Sequence, residues 1–225
     1  ARESARLIKK SSQKALVGAH LGTSFPNVED PWNEKIVRGL AKTLDYFVIH
    51  PYGVRLFQPP ENAALDESLL MQAAMAEGEQ FEAALLRYST KVNEWARRQV
   101  PLAATEYNAM FVQEKPKPYR FSLAGALFAA DFRRTLMDPA NGILTANYWQ
   151  FLNGYWGMAL GTEETGYRKQ AAFLTFQLWN EHFGPHWVRC KVVSSPKASF
   201  PGTYGAGTQP AHGAVNQLVE RQISQ

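Results

Sequence analysis

Pro101-Leu-Ala-Ala-Thr-Glu-Tyr-Asn108 is a run of small and apolar residues that ends on a carboxylate, with an aromatic and an amide directly behind it. Leu102 to Thr105 reads as a buried strand, and strands with no polar alternation belong to parallel sheets covered on both faces. In a β/α barrel the C-terminal strand ends open into the mouth where substrates bind, so a glutamate closing such a strand is a catalytic candidate. The competing reading of Glu106 is a surface side chain at a strand-to-loop exit, and its neighbours must decide between the two.

Upstream, Glu3 to Lys14 has helical spacing, and Ala15-Leu-Val-Gly-Ala-His-Leu-Gly22 reads as a short buried strand. Pro31 to Leu44 places Ile36, Val37, Leu40, Ala41 and Leu44 on one helical face. Asp45-Tyr-Phe-Val-Ile-His50 is a β-prone run that stops at Pro51. A long helical region follows from Leu65 to Gln99, broken near Gly78, and the segment from Gln58 to Gln99 is expected to form a lid or rim over the pocket. Downstream come a helix from Phe121 to Met137, a strand from Gly142 to Trp149 and a helix from Gly166 to Phe183. Trp187 to Val193 alternates like a half-exposed antiparallel strand, ahead of a tail rich in Gly and Pro.

Repeated strand–helix units imply an α/β fold with a parallel sheet, either doubly wound or part of a barrel. A closed eight-stranded barrel takes about 250 residues. Four strands therefore make half of one and leave two sheet edges that something must cover.

Composition narrows the function classes. The chain has 225 residues, 45% hydrophobic and 12% aromatic, enough for a substantial core. No apolar run approaches the roughly 20 residues that span a bilayer, so no membrane partner is expected. Ala1 is no start Met and no signal-peptide layout follows it, so the chain is expected to begin after the true start of its protein. Localisation is left between secreted or periplasmic and cytoplasmic. The lone Cys190 excludes an intrachain disulfide framework. A net charge of +4 is spread over separate pairs such as Lys9-Lys10 and Arg133-Arg134, so no nucleic-acid partner is expected. There is no metal-ligand spacing, no glycine-rich phosphate loop and no Gly-x-Ser-x-Gly, which argues for chemistry with no cofactor and no metal.

If the four strands run parallel, their ends present His20, then His50 with Tyr52, then Glu106 with Asn108, then Asn147, Trp149, Gln150 and Asn153. Hydrogen-bonding side chains interleaved with flat aromatic surfaces suit a sugar, and a carboxylate among them suits glycoside chemistry. A neighbouring imidazole and phenol would orient that carboxylate and keep it ionised. Each residue also has a plainer reading: a strand-end His as a satisfied structural side chain, Trp149 and its aromatic neighbours as rim packing.

Asp45-Tyr-Phe-Val-Ile-His-Pro-Tyr52, Thr105-Glu-Tyr-Asn108 and Ala146-Asn-Tyr-Trp-Gln-Phe-Leu-Asn-Gly-Tyr-Trp-Gly157, in that order, resemble the later half of the family 51 glycoside hydrolases, the α-L-arabinofuranosidases. The resemblance runs from about residue 1 to 197. It implies the second half, strands 5 to 8, of a (β/α)8 TIM barrel over residues 1–185, with residues 186–225 the start of a C-terminal β-sandwich or a tail. It implies Glu106 as the nucleophile of a retaining double displacement on terminal sugars of plant-type polysaccharides or oligosaccharides. His50 and Tyr52 would approach the catalytic centre, Gln150 would contact the sugar, and Asn108 and Trp149 are expected beside them as substrate-binding residues.

The departures shape the expectation as much as the matches. The family's acid/base is the Glu of an Asn-Glu pair at a barrel strand end, whereas Asn33-Glu34 and Asn180-Glu181 fall in expected helices. The acid/base is therefore expected outside this chain, on an N-terminal half of the barrel supplied as a second chain or a missing segment, with this chain inactive alone. A homo-oligomer is also open. The alternatives are a related barrel glycosidase (xylosidase, endoglucanase or glucuronidase), a non-catalytic carbohydrate-binding subunit, and an independent doubly wound domain.

Overall fold

Small and apolar side chains at Leu102, Ala103 and Ala104 let a central strand be packed from both faces, and the fold is built outward from it. The computed structural model describes residues 1–22, 25–56, 67–111, 119–186, 188, 197–209 and 213–224. In chain order the elements are α1 (Arg2–Ser11), β1 (Gly18–His20), α2 (Pro31–Leu40), β2 (Tyr46–Ile49), β3 (Tyr52–Leu56), α3 (Glu67–Ala96), β4 (Leu102–Phe111), α4 (Leu123–Met137), β5 (Ile143–Tyr148), β6 (Ala159–Thr162), β7 (Gly166–Lys169), α5 (Ala171–His182), β8 (Lys197–Gln209) and β9 (Gly213–Ser224). β1, β2, β4 and β5 lie side by side in that order, every pair parallel, and β3 adjoins β4 in the same sheet. This is the α/β arrangement expected, with helices alternating with parallel strands.

The chain forms two compact units, the first made of residues 1–52, 79–108 and 133–149. Its core is β4, β2 and one stripe of α3. Leu102, Ala103 and Ala104 are all fully buried, as a strand covered on both faces must be. In β2 the buried Phe47 and Ile49 alternate with half-exposed Tyr46 and Val48, the period-2 pattern of a strand. On α3 the buried residues Phe81, Leu85, Tyr88, Val92 and Trp95 recur at spacings of three and four, which is one helical face. Phe25 stacks on Phe81 at 5.1 Å and the Tyr88 hydroxyl donates to the Asn27 carbonyl at 3.0 Å, fixing the loop after β1.

Polar ties hold the strands in register. The Asp45 carboxylate accepts from the Val17 amide at 2.8 Å and pairs with Lys9 at 2.7 Å, so one side chain joins α1, the lead into β1 and the start of β2. Burial works against that carboxylate, but Lys9 and the Val17 amide outweigh it and hold its pKa below the ordinary value. Arg98, just past α3, donates to the Ala41 and Leu44 carbonyls beyond α2. Asp30 caps α2 by accepting from the Trp32 amide, and Pro31 occupies its first turn.

The second unit comprises residues 53–78, 109–132 and 150–225. Two expectations are corrected here. α3 runs unbroken through Gly78, where a Cβ would meet the Asp131 carboxylate. The glycine answers a close approach and does not end a helix. The helix expected from Gly166 begins at Ala171, and Gly166–Lys169 is instead the second strand of the antiparallel β6–β7 hairpin. Gly161 and Gly166 take φ of +118° and +71°, conformations that favour glycine and make a hairpin turn where a helix-like composition suggested none. β8 and β9 form a separate antiparallel pair. The strand expected at Trp187 to Val193 lies outside the described residues except Val188, as do Cys190 and the 58–66 part of the expected lid.

Candidate active site

Three strand ends of the first unit bring their polar residues together, and the register says why. β2 pairs with β4 at Ile49↔Ala104, so the next residue on each strand, His50 and Thr105, face each other. The His50 Nε2 lies 2.9 Å from the Thr105 hydroxyl. β1 pairs with β2 at His20↔Val48, which puts His20 on the side of the strand that His50, two residues further on, also uses. The two imidazole centroids are 4.3 Å apart with planes at 74°. Pro51 cannot donate to a ladder, and β2 stops at Ile49 and resumes as β3 at Tyr52, whose side chain reaches Glu106.

Glu106 is the focus of this group. The Tyr52 hydroxyl donates to its Oε2 at 2.7 Å, and His50 Nδ1 stands 3.5 Å from the same Oε2. Among the described residues none hydrogen-bonds the other oxygen, Oε1. The carboxylate is 28% exposed and the imidazole 27%, so the site is reachable yet partly desolvated. Burial first, and then the hydrogen bond to Glu106, push the Tyr52 pKa well above the ordinary phenol value. Tyr52 therefore stays protonated and donates to the glutamate oxygen.

Behind Glu106 the strand is locked to β5. Asn108 is buried, its amide donates to the Trp149 carbonyl, and its carbonyl accepts from the Tyr148 hydroxyl at 2.9 Å. Trp149 returns a backbone bond to Tyr107 at 3.0 Å, and the Tyr107 and Tyr148 rings meet edge to face at 5.5 Å. Burial raises the pKa of both phenols. Asn108 thus spends these groups within the protein, as a tie between the Glu106 strand and its neighbour. The Trp149 side chain is 37% exposed at the end of β5.

Gln150 belongs to the second unit, where its amide bonds the Trp156 carbonyl and its own carbonyl accepts from Met158. Asn153 accepts from the Tyr155 and Trp156 amides and shapes that turn. Arg120 lies with its guanidinium 3.8 Å from the Tyr155 ring centroid. Asn33-Glu34 and Asn180-Glu181 lie in α2 and α5, as expected from the sequence. Among the described residues no cluster of three or more His, Cys, Asp or Glu is placed to hold a metal ion, and no helix is long and apolar enough to cross a membrane.

Thr105 and the pairing of His20 with His50 escaped the sequence reading. Both depend on the stagger between strands, and the only signal available was that His20, His50 and Glu106 each end an apolar run.

No protein-family model matches the chain, and no curated protein matches it in sequence. Solved structures do match. An α-L-arabinofuranosidase from Thermotoga maritima, in an arabinose complex, superposes with a TM-score of 0.68 at 17% identity, over 90% of this chain and 38% of that one. A family 51 α-L-arabinofuranosidase from Bifidobacterium longum gives 0.65 at 16% identity, over 96% and 43%. A monomeric β-xylosidase from Caulobacter crescentus gives 0.52 at 16%, over 80% and 36%. The chain has the fold of part of a glycoside-hydrolase barrel, the likeness to family 51 extends across most of its length, and it spans 38% and 43% of the two arabinofuranosidases.

Proposed function

We propose that this chain carries the nucleophile of a retaining glycoside hydrolase acting on terminal α-L-arabinofuranosyl groups. The observation that supports the reading is the convergence of Tyr52 and His50 on one oxygen of Glu106, at strand ends of a glycosidase-type barrel. Oε1 attacks the anomeric carbon as the bond to the leaving oxygen breaks. That oxygen takes its proton from an acid/base glutamate, which we assign to the remainder of the barrel. Water then attacks the same carbon, its proton passes to the acid/base, and Glu106 departs as a carboxylate. The Tyr52 hydroxyl and His50 hold Oε2 while charge leaves and returns to the carboxylate. Trp149 supplies an exposed flat face for the sugar, and Asn108 keeps the Glu106 strand in place beside it.

In the absence of the remaining strands this chain alone is expected to be inactive. The likeness to the Caulobacter β-xylosidase makes a pentopyranosidase the second reading. A mechanism-based label tests both. An assembly of this chain with its complementary half is treated with an arabinofuranosyl aziridine and, separately, a xylosyl one, then digested and mapped by mass spectrometry. A sugar ester on the peptide containing Glu106, absent in Glu106→Gln, is the expected result, and the probe that reacts names the sugar. No label on Glu106 with either probe sinks the assignment.

A further inference from the structure

Thr105 and Glu106 are consecutive residues of β4, and both reach His50. In a regular strand successive side chains point to opposite faces of the sheet, so two neighbours are not expected to meet one ring. The ladder to β5 shows what permits it. From Ala104↔Ala146 to Tyr107↔Tyr148, β4 advances by three residues while β5 advances by two. The extra residue falls at Thr105–Glu106, and a bulge of this kind bends the strand and re-aims its side chains.

The two contacts go to the two nitrogens of the imidazole. Thr105 Oγ1 lies 2.9 Å from Nε2, and Glu106 Oε2 lies 3.5 Å from Nδ1. A half-turn of the ring exchanges Nδ1 with Cδ2 and Nε2 with Cε1, and the torsion that governs it is broad and roughly two-fold. Turned over, the ring would present C–H groups to both oxygens. His20 packs against the ring at 4.3 Å between centroids, but that contact follows the outline of the ring, which a half-turn leaves unchanged. The Glu106 contact is too long to fix the ring by itself, whereas the Thr105 contact is within ordinary hydrogen-bond range. A hydroxyl both donates and accepts, so it meets Nε2 whether or not that nitrogen carries hydrogen. A methyl in the same place would do neither.

We infer that Thr105 is a positioning residue for the Glu106 site, its hydroxyl holding the His50 ring in the orientation that keeps Nδ1 on the carboxylate. The bulge makes this possible by presenting a hydroxyl and a carboxylate from adjacent residues to one imidazole. Thr105 is restricted at χ1, as β-branched residues are, so its oxygen keeps its direction from the strand. Strand formation does not call for the hydroxyl, because valine shares both the branched shape and the strand preference.

The effect on turnover rests on Glu106 being the nucleophile, the ring orientation does not, and the two are read separately. Orientation is read by NMR of the full chain, from proton–proton contacts between the His50 ring and the Glu106 side chain. In the unsubstituted chain Hδ2 of His50 is expected to show no contact with the Glu106 methylenes, and the same holds for Thr105→Ser, which keeps the hydroxyl. Thr105→Val keeps the shape alone and is expected to bring in that contact as the ring turns over. In the assembled enzyme Thr105→Val is expected to lower kcat about 3- to 10-fold, the worth of one hydrogen bond, with KM little changed, and Thr105→Ser to restore it. A valine variant whose His50 contacts match the unsubstituted chain, or a serine variant that behaves as the valine one does, would overturn the proposal. So would an Hδ2 that already faces Glu106 in the unsubstituted chain, an outcome that needs no variant to fold. Ring turnover in Thr105→Val together with an unlabelled Glu106 in the aziridine experiment would retain the positioning role and remove only the nucleophile.

Discussion

The two inner strands and the two outer strands of the parallel sheet are built differently. β2 and β4 have neighbours on both sides, and their buried residues include Phe47, Ile49 and Leu102. β1 and β5 each pair with one strand of this sheet, and β5 runs through exposed residues from Leu144 to Asn147. Apolar side chains are also exposed beside β1, at Leu7, Ile8 and Leu16. Glu106 and Thr105 lie on β4 and His50 directly follows β2, while Tyr52 opens β3. Chemistry that needs sub-ångström placement has been put where the backbone is pinned from both sides. The edges leave apolar side chains at the surface.

The sharpest test of that contrast is Glu106→Gln in the assembled enzyme, expected to lower kcat by at least about 10³-fold because the nucleophile acts only in the chemical step. Unchanged circular dichroism alongside would separate chemistry from folding. Next comes stability. Phe47→Ala on the inner strand is expected to cost about 3–5 kcal/mol in urea unfolding, whereas Leu144→Ala on the edge is expected to cost under about 1 kcal/mol. Equal costs would break the comparison, since they would mean that the edge is covered in the isolated chain. Tyr52→Phe removes one hydroxyl from a charged acceptor and is expected to slow turnover about 10- to 100-fold, with little loss of stability. The smallest effect concerns pH. Burial depresses the His20 pKa, so its contribution to stability is complete above the unfolded value near 6.5 and is lost as pH falls below it. Thermal melts should therefore drop as pH falls below about 6.5, and His20→Phe should flatten that slope. The Asp45 carboxylate, also depressed, contributes above its unfolded value of 3.8 and would add a second decline only below it.

The inner region was also the more legible one. Asp45 to His50 and Leu102 to Thr105 are short apolar runs bounded by Pro51, Pro101 and a carboxylate, and local composition alone marks them as strands that end on reactive groups. What composition does not carry is stagger. The contact of His50 with Thr105 follows from Ile49 facing Ala104, a register fixed by the packing of whole strands. Glycine misled the reading twice for the same reason. Gly78 continues a helix because Asp131 fills the space of its missing side chain, and Gly161 and Gly166 turn a hairpin because their φ angles are positive. In each case the deciding partner is remote in sequence or is a dihedral angle, and neither is written in the neighbouring letters. Asn108 likewise shows more in the structure than in the sequence: besides its place next to Glu106, its side chain bonds the Trp149 carbonyl and the Tyr148 hydroxyl.

A carboxylate in water is two-fold symmetric: rotating it by half a turn exchanges two identical oxygens, and the terminal torsion of glutamate is correspondingly free. With both Tyr52 and His50 on Oε2, Glu106 has lost that symmetry before any ligand arrives. In the double displacement proposed above, the ester can then form at only one of the two oxygens. When the ester is cleaved, that oxygen returns to a position no other group has entered, and the phenol has not let go of its partner. Under that proposed displacement the glutamate would start and finish each cycle as the same rotamer, with no side-chain reset between one cycle and the next.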